Sequence, residues 1–214
     1  MIKKSFTFID LFSGVGGFRI PLEKLGGKCL AYSEIDKHAI EVYRQNFKTT
    51  DETFLDDITL VKTVQKSDLI VGGVPCQAWS VAGKKQGFDD PRGKLWEDTI
   101  RVVKKTKPKA FIFENVKGLY DPRNKASLKL IISEFRKCNY EVHHKVLNAY
   151  DFGLPQNRDR LFIIGIRKDI KSDFNFPLPT GSSKPLAKII DNLDIKSNHL
   201  NKKKFIPKKL FGEK

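Results

Sequence analysis

The sequence predicts an α/β fold, a mostly parallel sheet with helices on both faces. Two observations carry this. Short apolar runs of strand character alternate with segments of helical periodicity along most of the chain, and parallel strands need crossovers of that kind. A glycine cluster also stands where the first strand gives way to the first helix, a place where such sheets meet ligands.

The elements follow in order. "SFTFIDLF" reads as a strand, "SGVGG" as a loop, and "FRIPLEKLG" as a helix whose Pro21 best fits the first turn, where a missing N–H costs nothing. "KCLAYSEI" is the second strand and "DKHAIEVYRQNF" the second helix, with Asp36 as its N-cap. "SDLIVGG" is a short buried strand and "KLWEDTIRVVKKT" a helix. "KAFIFENV" is a strand and "SLKLIISEFRKC" a helix; two further strand-like runs, "YEVHHKVLNA" and "RLFIIGI", flank the loop "YDFGLPQNRD". Composition changes after about Asp173 to proline, glycine and serine and then to a lysine-rich tail, so residues 1–172 read as one domain and 173–214 as a basic extension.

With 214 residues and 40% hydrophobic content the chain can bury a core. Forty lysines and arginines against 25 acidic residues leave a net charge of +15, which attracts polyanions in a salt-dependent way or simply solvates the surface. Nucleic acid is the first partner to consider. Cys29, Cys76 and Cys138 form no CxxC pair, and an odd count argues for a reducing compartment. Ser5, Thr7 and Asp10 interrupt the N-terminal apolar stretch, no run is long enough to span a bilayer, and a cytoplasmic location is the simplest expectation.

Chemistry-bearing residues fall at the predicted strand ends. Gly14, Gly16 and Gly17 make a turn that serves equally as a tight connection or as a nucleotide cradle. Glu34, about twenty residues on, suits ribose hydroxyls, and Asp57 suits either an adenine amino group or a helix start. Cys76 follows "LIVGGVP" at the sheet edge, where it is either a small core residue or a thiolate favoured by Lys84, Lys85 or Arg92. Glu114 ends an apolar strand, where a carboxyl without partners tends to keep its proton, and with Asn115 it could equally form a cap. Gln156, Arg158 and Arg160 lead into the last strand, and the alternate arginines share one face. His143 and His144, adjacent on a strand, point to opposite faces, and no metal site is expected.

Taken in chain order, "FIDLFSGVGGF", "SEIDKHAIEVYRQNF", "DDITLV", "GGVPCQAWSVAGKKQGFDDPRGKLW", "FENVKGL" and "VLNAYDFGLPQNRDRLFIIGIR" resemble the DNA cytosine-5 methyltransferases of bacterial restriction-modification systems, over about residues 6–168. The resemblance implies a Rossmann-like S-adenosylmethionine-dependent methyltransferase fold acting on double-stranded DNA. It implies Cys76 as the nucleophile on a flipped cytosine, Glu114 at the N3 side of the ring, Arg160 at the base carbonyl and Arg158 supporting the site or a phosphate. Phe12, Gly14 and Gly17 would line the cofactor, Glu34 would take its ribose, Asp57 and Ile58 its adenine, and Leu95 would close the pocket. Pro75, Gln77, Ser80, Lys84, Lys85, Arg92 and Gln156 are implied on the DNA side, most of them in a loop that closes over the substrate.

The family's target-recognition region and the later element that completes its cofactor pocket have no counterpart in these residues. A subunit of a split enzyme awaiting a second polypeptide, a truncated product and an inactive copy all fit this departure. A non-catalytic DNA- or partner-binding subunit, a methyltransferase acting on tRNA and an NAD-dependent dehydrogenase are the competing readings. The dehydrogenase leaves Cys76, Glu114 and Arg160 without roles.

Overall fold

The computed structural model describes residues 5–75 and 95–181. Its seven strands form one sheet in the order β3–β2–β1–β4–β5–β7–β6, with β1 at Phe6–Leu11, β2 at Gly27–Tyr32, β3 at Thr53–Phe54, β4 at Leu69–Gly73, β5 at Ala110–Val116, β6 at Tyr140–Asn148 and β7 at Asp159–Arg167. Strands β1 to β5 pair in parallel, and β7 runs antiparallel between β5 and β6. The helices are α1 (Arg19–Lys24), α2 (Lys37–Asn46), α3 (Leu95–Thr106) and α4 (Lys125–Lys137).

Most predicted elements occur where expected, with shifts that have local causes. The second strand ends at Tyr32; just beyond it, the Ser33 backbone still bonds to Asp10 and Ser13, while the side chains of Ser33 and Glu34 accept from the amides of Phe12 and Gly14. Asp36 caps α2 as predicted, its Oδ1 accepting from the amides of His38 and Ala39 at 2.9 Å. The third strand is only two residues long, and one short 3₁₀ turn, Ile58–Leu60, lies between it and β4.

Strand alternation builds the larger core. Phe111 and Phe113 of β5 meet Trp96 of α3 and Phe135 of α4 in stacked, tilted and edge-on contacts with centroids 4.3–6.3 Å apart, each worth about 1 kcal/mol beyond area burial. The opposite face holds a smaller cluster of Phe8, Leu22, Cys29 and Val71. Residues 173–181, read from composition as an extension, lie against the domain: Phe174 packs on His143 and Phe176, and Thr180 donates its amide to the Asp151 carbonyl. His143 and His144 do face opposite sides, the second meeting Tyr120. No helix among the described residues is long and apolar enough to cross a membrane.

Two contacts hold the sheet centre. At the N-terminal edge, Asp68 accepts from the amide and hydroxyl of Thr7 at 2.8 and 2.9 Å and pairs with Lys109 at 2.8 Å, tying β1, β4 and β5 together. These donors, Lys109 first, lower its carboxyl to about 2. At the C-terminal edge, a side chain on Gly72 would place Cβ 2.5 Å from the Leu11 carbonyl oxygen, so the first glycine of "GG" allows the close approach of β1 itself.

Asp68→Asn should therefore lower unfolding stability by about 1 kcal/mol at pH 7, a value reduced by solvent screening. Because the folded carboxyl titrates below its unfolded counterpart, the contribution is full above the unfolded value and disappears as pH falls through about 2, so urea curves of the two proteins should converge there. Gly72→Ala should cost about 2–3 kcal/mol in the same measurement, since backbone must yield.

Candidate active site

The site is assembled at the C-terminal ends of β1, β4 and β5. Leu11 pairs with Gly72, and Gly72 and Gly73 pair with Phe113 and Glu114, so this register sets the turn after β1 beside the carboxyl of Glu114. Asn115, buried, donates from Nδ2 to the Val74 carbonyl at 3.1 Å and ties the end of β4 to β5. That tether uses the residue that a simple cap would have required.

In the turn, Gly14 and Gly16 have φ of +54° and +94°, a region that favours glycine. Phe12, with φ +52°, adopts the same region at a cost of about 1–2 kcal/mol. Glu34 organises the turn from just beyond β2: Oε2 accepts from the Gly14 amide at 2.9 Å, and Oε1 from the amides of Ile35 and Asp36 at 2.8 and 2.9 Å. Side chains on Gly14 or Gly17 would meet nothing within 4 Å, so both glycines border open space.

That space is a cavity of about 800 Å³, lined by Phe12, Gly14 and Gly17 on one side and by Glu114, Gln156, Arg158 and Arg160 on the other. Its size lies in the range of small-molecule sites. A carboxyl at this strand end needs a partner to ionise, and β7 supplies one, with Arg160 Nε 2.6 Å from Oε1. Arg158 Nη2 lies 3.8 Å from the same oxygen, so both predicted arginines converge on the predicted acid. Each of Glu114 and Arg160 keeps about a quarter of its side chain exposed, which leaves the pair accessible from the cavity.

Asp57 and Ile58 are not among the cavity-lining residues. Asp57 caps a short helical turn by accepting from the Thr59 amide, and the Ile58 side chain is buried in the main core. Leu95 opens α3 and packs partly buried against that core. Pro75 is half-buried at the end of β4. Cys76, Gln77, Ser80, Lys84, Lys85 and Arg92 lie outside the described residues.

Sequence reasoning missed the far wall of the cavity, which includes Leu147, Asn148, Phe152, Phe162 and Pro177. Phe162 could have been found, since it stands two positions beyond Arg160 on the same strand face. Asn148 carries a weaker sign, a capping residue ahead of a turn; it accepts from the Tyr150 amide and donates to Asp159.

The family model for C-5 cytosine-specific DNA methylases matches residues 6–213. The chain belongs to that family. The type II methyltransferase M.HgiBI of Herpetosiphon aurantiacus is 52% identical over 213 residues, which are 99% of this chain and 48% of that protein. The type II methyltransferase M.HhaI of Haemophilus parahaemolyticus is 44% identical over 80% of this chain and 53% of its own length. Among solved structures, a prophage-encoded E. coli protein described as a DNA modification methyltransferase superposes with a TM-score of 0.66 at 30% identity, covering 79% of this chain and 49% of its own. The chain thus spans about half the length of these two relatives. The sheet described above has the Rossmann-like fold of S-adenosylmethionine-dependent methyltransferases.

The Glu114–Arg160 pair is partly desolvated, so a double-mutant cycle with Glu114→Gln and Arg160→Gln should return a coupling energy of about 1 kcal/mol in unfolding, falling with added salt.

Proposed function

We propose that this chain carries the cofactor-binding and catalytic half of an enzyme that methylates C5 of cytosine in DNA through a covalent adduct on Cys76. One observation carries the reading: a single cavity joins the open glycine turn to an acid held by arginine, at the sheet edge from which Cys76 follows. Gly73 pairs with Glu114, and Cys76 stands three residues further on, a span that cannot exceed about 11 Å.

The residues present fit the cofactor. Gly14 and Gly17 leave room for it, and Glu34, with three N–H donors already on its carboxylate, retains acceptor capacity for a ribose hydroxyl. Bound there, S-adenosylmethionine supplies an electrophilic methyl group. Asp57 and Ile58 would meet the adenine through the chain at the start of their turn, and Leu95 would close that end.

In the reaction, the Cys76 thiolate forms a bond to C6 of a cytosine turned out of the duplex. The C5–C6 π pair is displaced into the ring, and Glu114 at the N3 side holds or donates the proton that offsets the negative charge. Arg160 binds the base carbonyl while keeping Glu114 in place, and Arg158 steadies the pair or a phosphate. C5, now electron-rich, would accept the methyl group as its bond to the sulfonium sulfur breaks, and would then give up its proton to solvent water. The electrons of that C–H bond restore the double bond as the C6–S bond breaks, returning the thiolate. Gln77, Ser80, Lys84, Lys85, Arg92 and Gln156 would contact the DNA, and the half that the relatives possess beyond this chain would read its sequence.

Cys76→Ser should abolish the covalent complex that the wild type, supplied with the remaining half, forms with DNA containing 5-fluorocytosine; an undiminished complex would overturn the nucleophile assignment. Tritium transfer from labelled S-adenosylmethionine to mixed-sequence DNA should need that half and stay at background for this chain alone. Filling the cradle by Gly17→Val should weaken S-adenosylmethionine binding at least tenfold by calorimetry.

A further inference from the structure

The glycine turn is backed by a buried charged cluster whose members do not line the cavity. Arg19, in the first turn of α1, is 3% exposed. Its guanidinium makes a two-pronged ion pair with Glu52 at 2.6 and 2.7 Å, and Nε donates to Glu23 at 2.7 Å. The remaining donors reach the Tyr43 hydroxyl and the Lys48 carbonyl at 3.3 and 3.4 Å. The group is therefore fixed in direction by partners on α1, on α2 and in the segment leading to β3.

What it fixes is the ring of Phe47. The guanidinium carbon lies 4.4 Å from that ring's centroid, and Tyr43 packs on the ring at 4.9 Å. The ring sits directly against Gly16: a side chain there would overlap it, and its three nearest atoms would all belong to Phe47. Gly16 in turn bonds its amide to the Ser13 carbonyl at 2.9 Å and accepts from Ile20, between the cavity-facing Gly14 and Gly17. A buried ion pair is seldom retained for stability alone, since apolar residues of similar volume often serve as well. A rigid fork that clamps a ring against a turn offers direction as well as burial.

We propose that Arg19 and Phe47 are positioning residues: stacked on one another, they press on Gly16 and hold the turn in the conformation that the methyl donor requires. This rests on reading the turn as the cofactor cradle, so the test needs one arm that is independent of the ligand. Arg19→Lys keeps the charge but loses the fork, and Phe47→Leu keeps an apolar contact but loses the flat ring. In the chain supplied with the remaining half, both should weaken S-adenosylmethionine binding at least tenfold by calorimetry, with the melting temperature of this chain lowered only a few degrees. Amide hydrogen exchange should rise in residues 13–18 and stay unchanged in β6 and β7. A folded Phe47→Leu protein whose affinity and turn exchange both match wild type would overturn the proposal, whatever Arg19→Lys does. If the wild type supplied with the remaining half binds no S-adenosylmethionine, the cradle reading fails; unchanged exchange of both variants in residues 13–18 would then overturn the positioning role as well, and raised exchange would uphold it.

Discussion

The parallel pairing of β4 with β1 on one side and β5 on the other is the constraint on which the cavity depends. Gly72 makes it possible by bringing its backbone against Leu11, and the register then sets Glu114 level with Gly73 and beside the turn that follows Leu11. Strand spacing alone, about 4.8 Å per neighbour, thus delivers a glycine turn and an acid to opposite walls of one space. The aromatic layer beneath, from Trp96 to Phe135, keeps β5 from shifting within that arrangement. Asp68 does the corresponding work at the far end of the same three strands.

The antiparallel strand β7 completes the chemistry. Inserted between β5 and β6, it sets Phe162 opposite Glu114 and brings Arg160 onto the same carboxyl. A carboxylate on an apolar strand end is costly to desolvate, and the guanidinium offsets that cost while leaving the pair open to the cavity. Family membership and this geometry are the grounds for the proposal that the pair meets a base and the glycine turn the methyl donor.

Much of the architecture was legible because its signals are local. A nearly unbroken apolar run marked β5, strand-forming residues marked β6, helical spacing marked α3 and α4, and the polar side chain of Asp36 ahead of an amphipathic run marked a cap. Less legible were the end of β2 at Tyr32, beyond which Ser33 and Glu34 bond to the turn, and the packing of Phe174 on His143 of β6, in a stretch whose composition reads as an extension. Ile58 gives the clearest separation of motif from geometry. The resemblance assigned it to a ligand, whereas its side chain belongs to the core, so any ligand contact there falls to the backbone.

By itself, the sequence determined the types of element, their order, and which residues carry chemistry at strand ends, because propensity, capping and glycine turns act over a few neighbouring residues. Tertiary structure decided which of those residues meet. Glu114 and Arg160 are 46 positions apart and Arg19 and Glu52 are 33 apart, and no local pattern encodes either encounter. Both come from strand order and from buried charges finding partners, which are properties of the packed sheet and not of any segment within it.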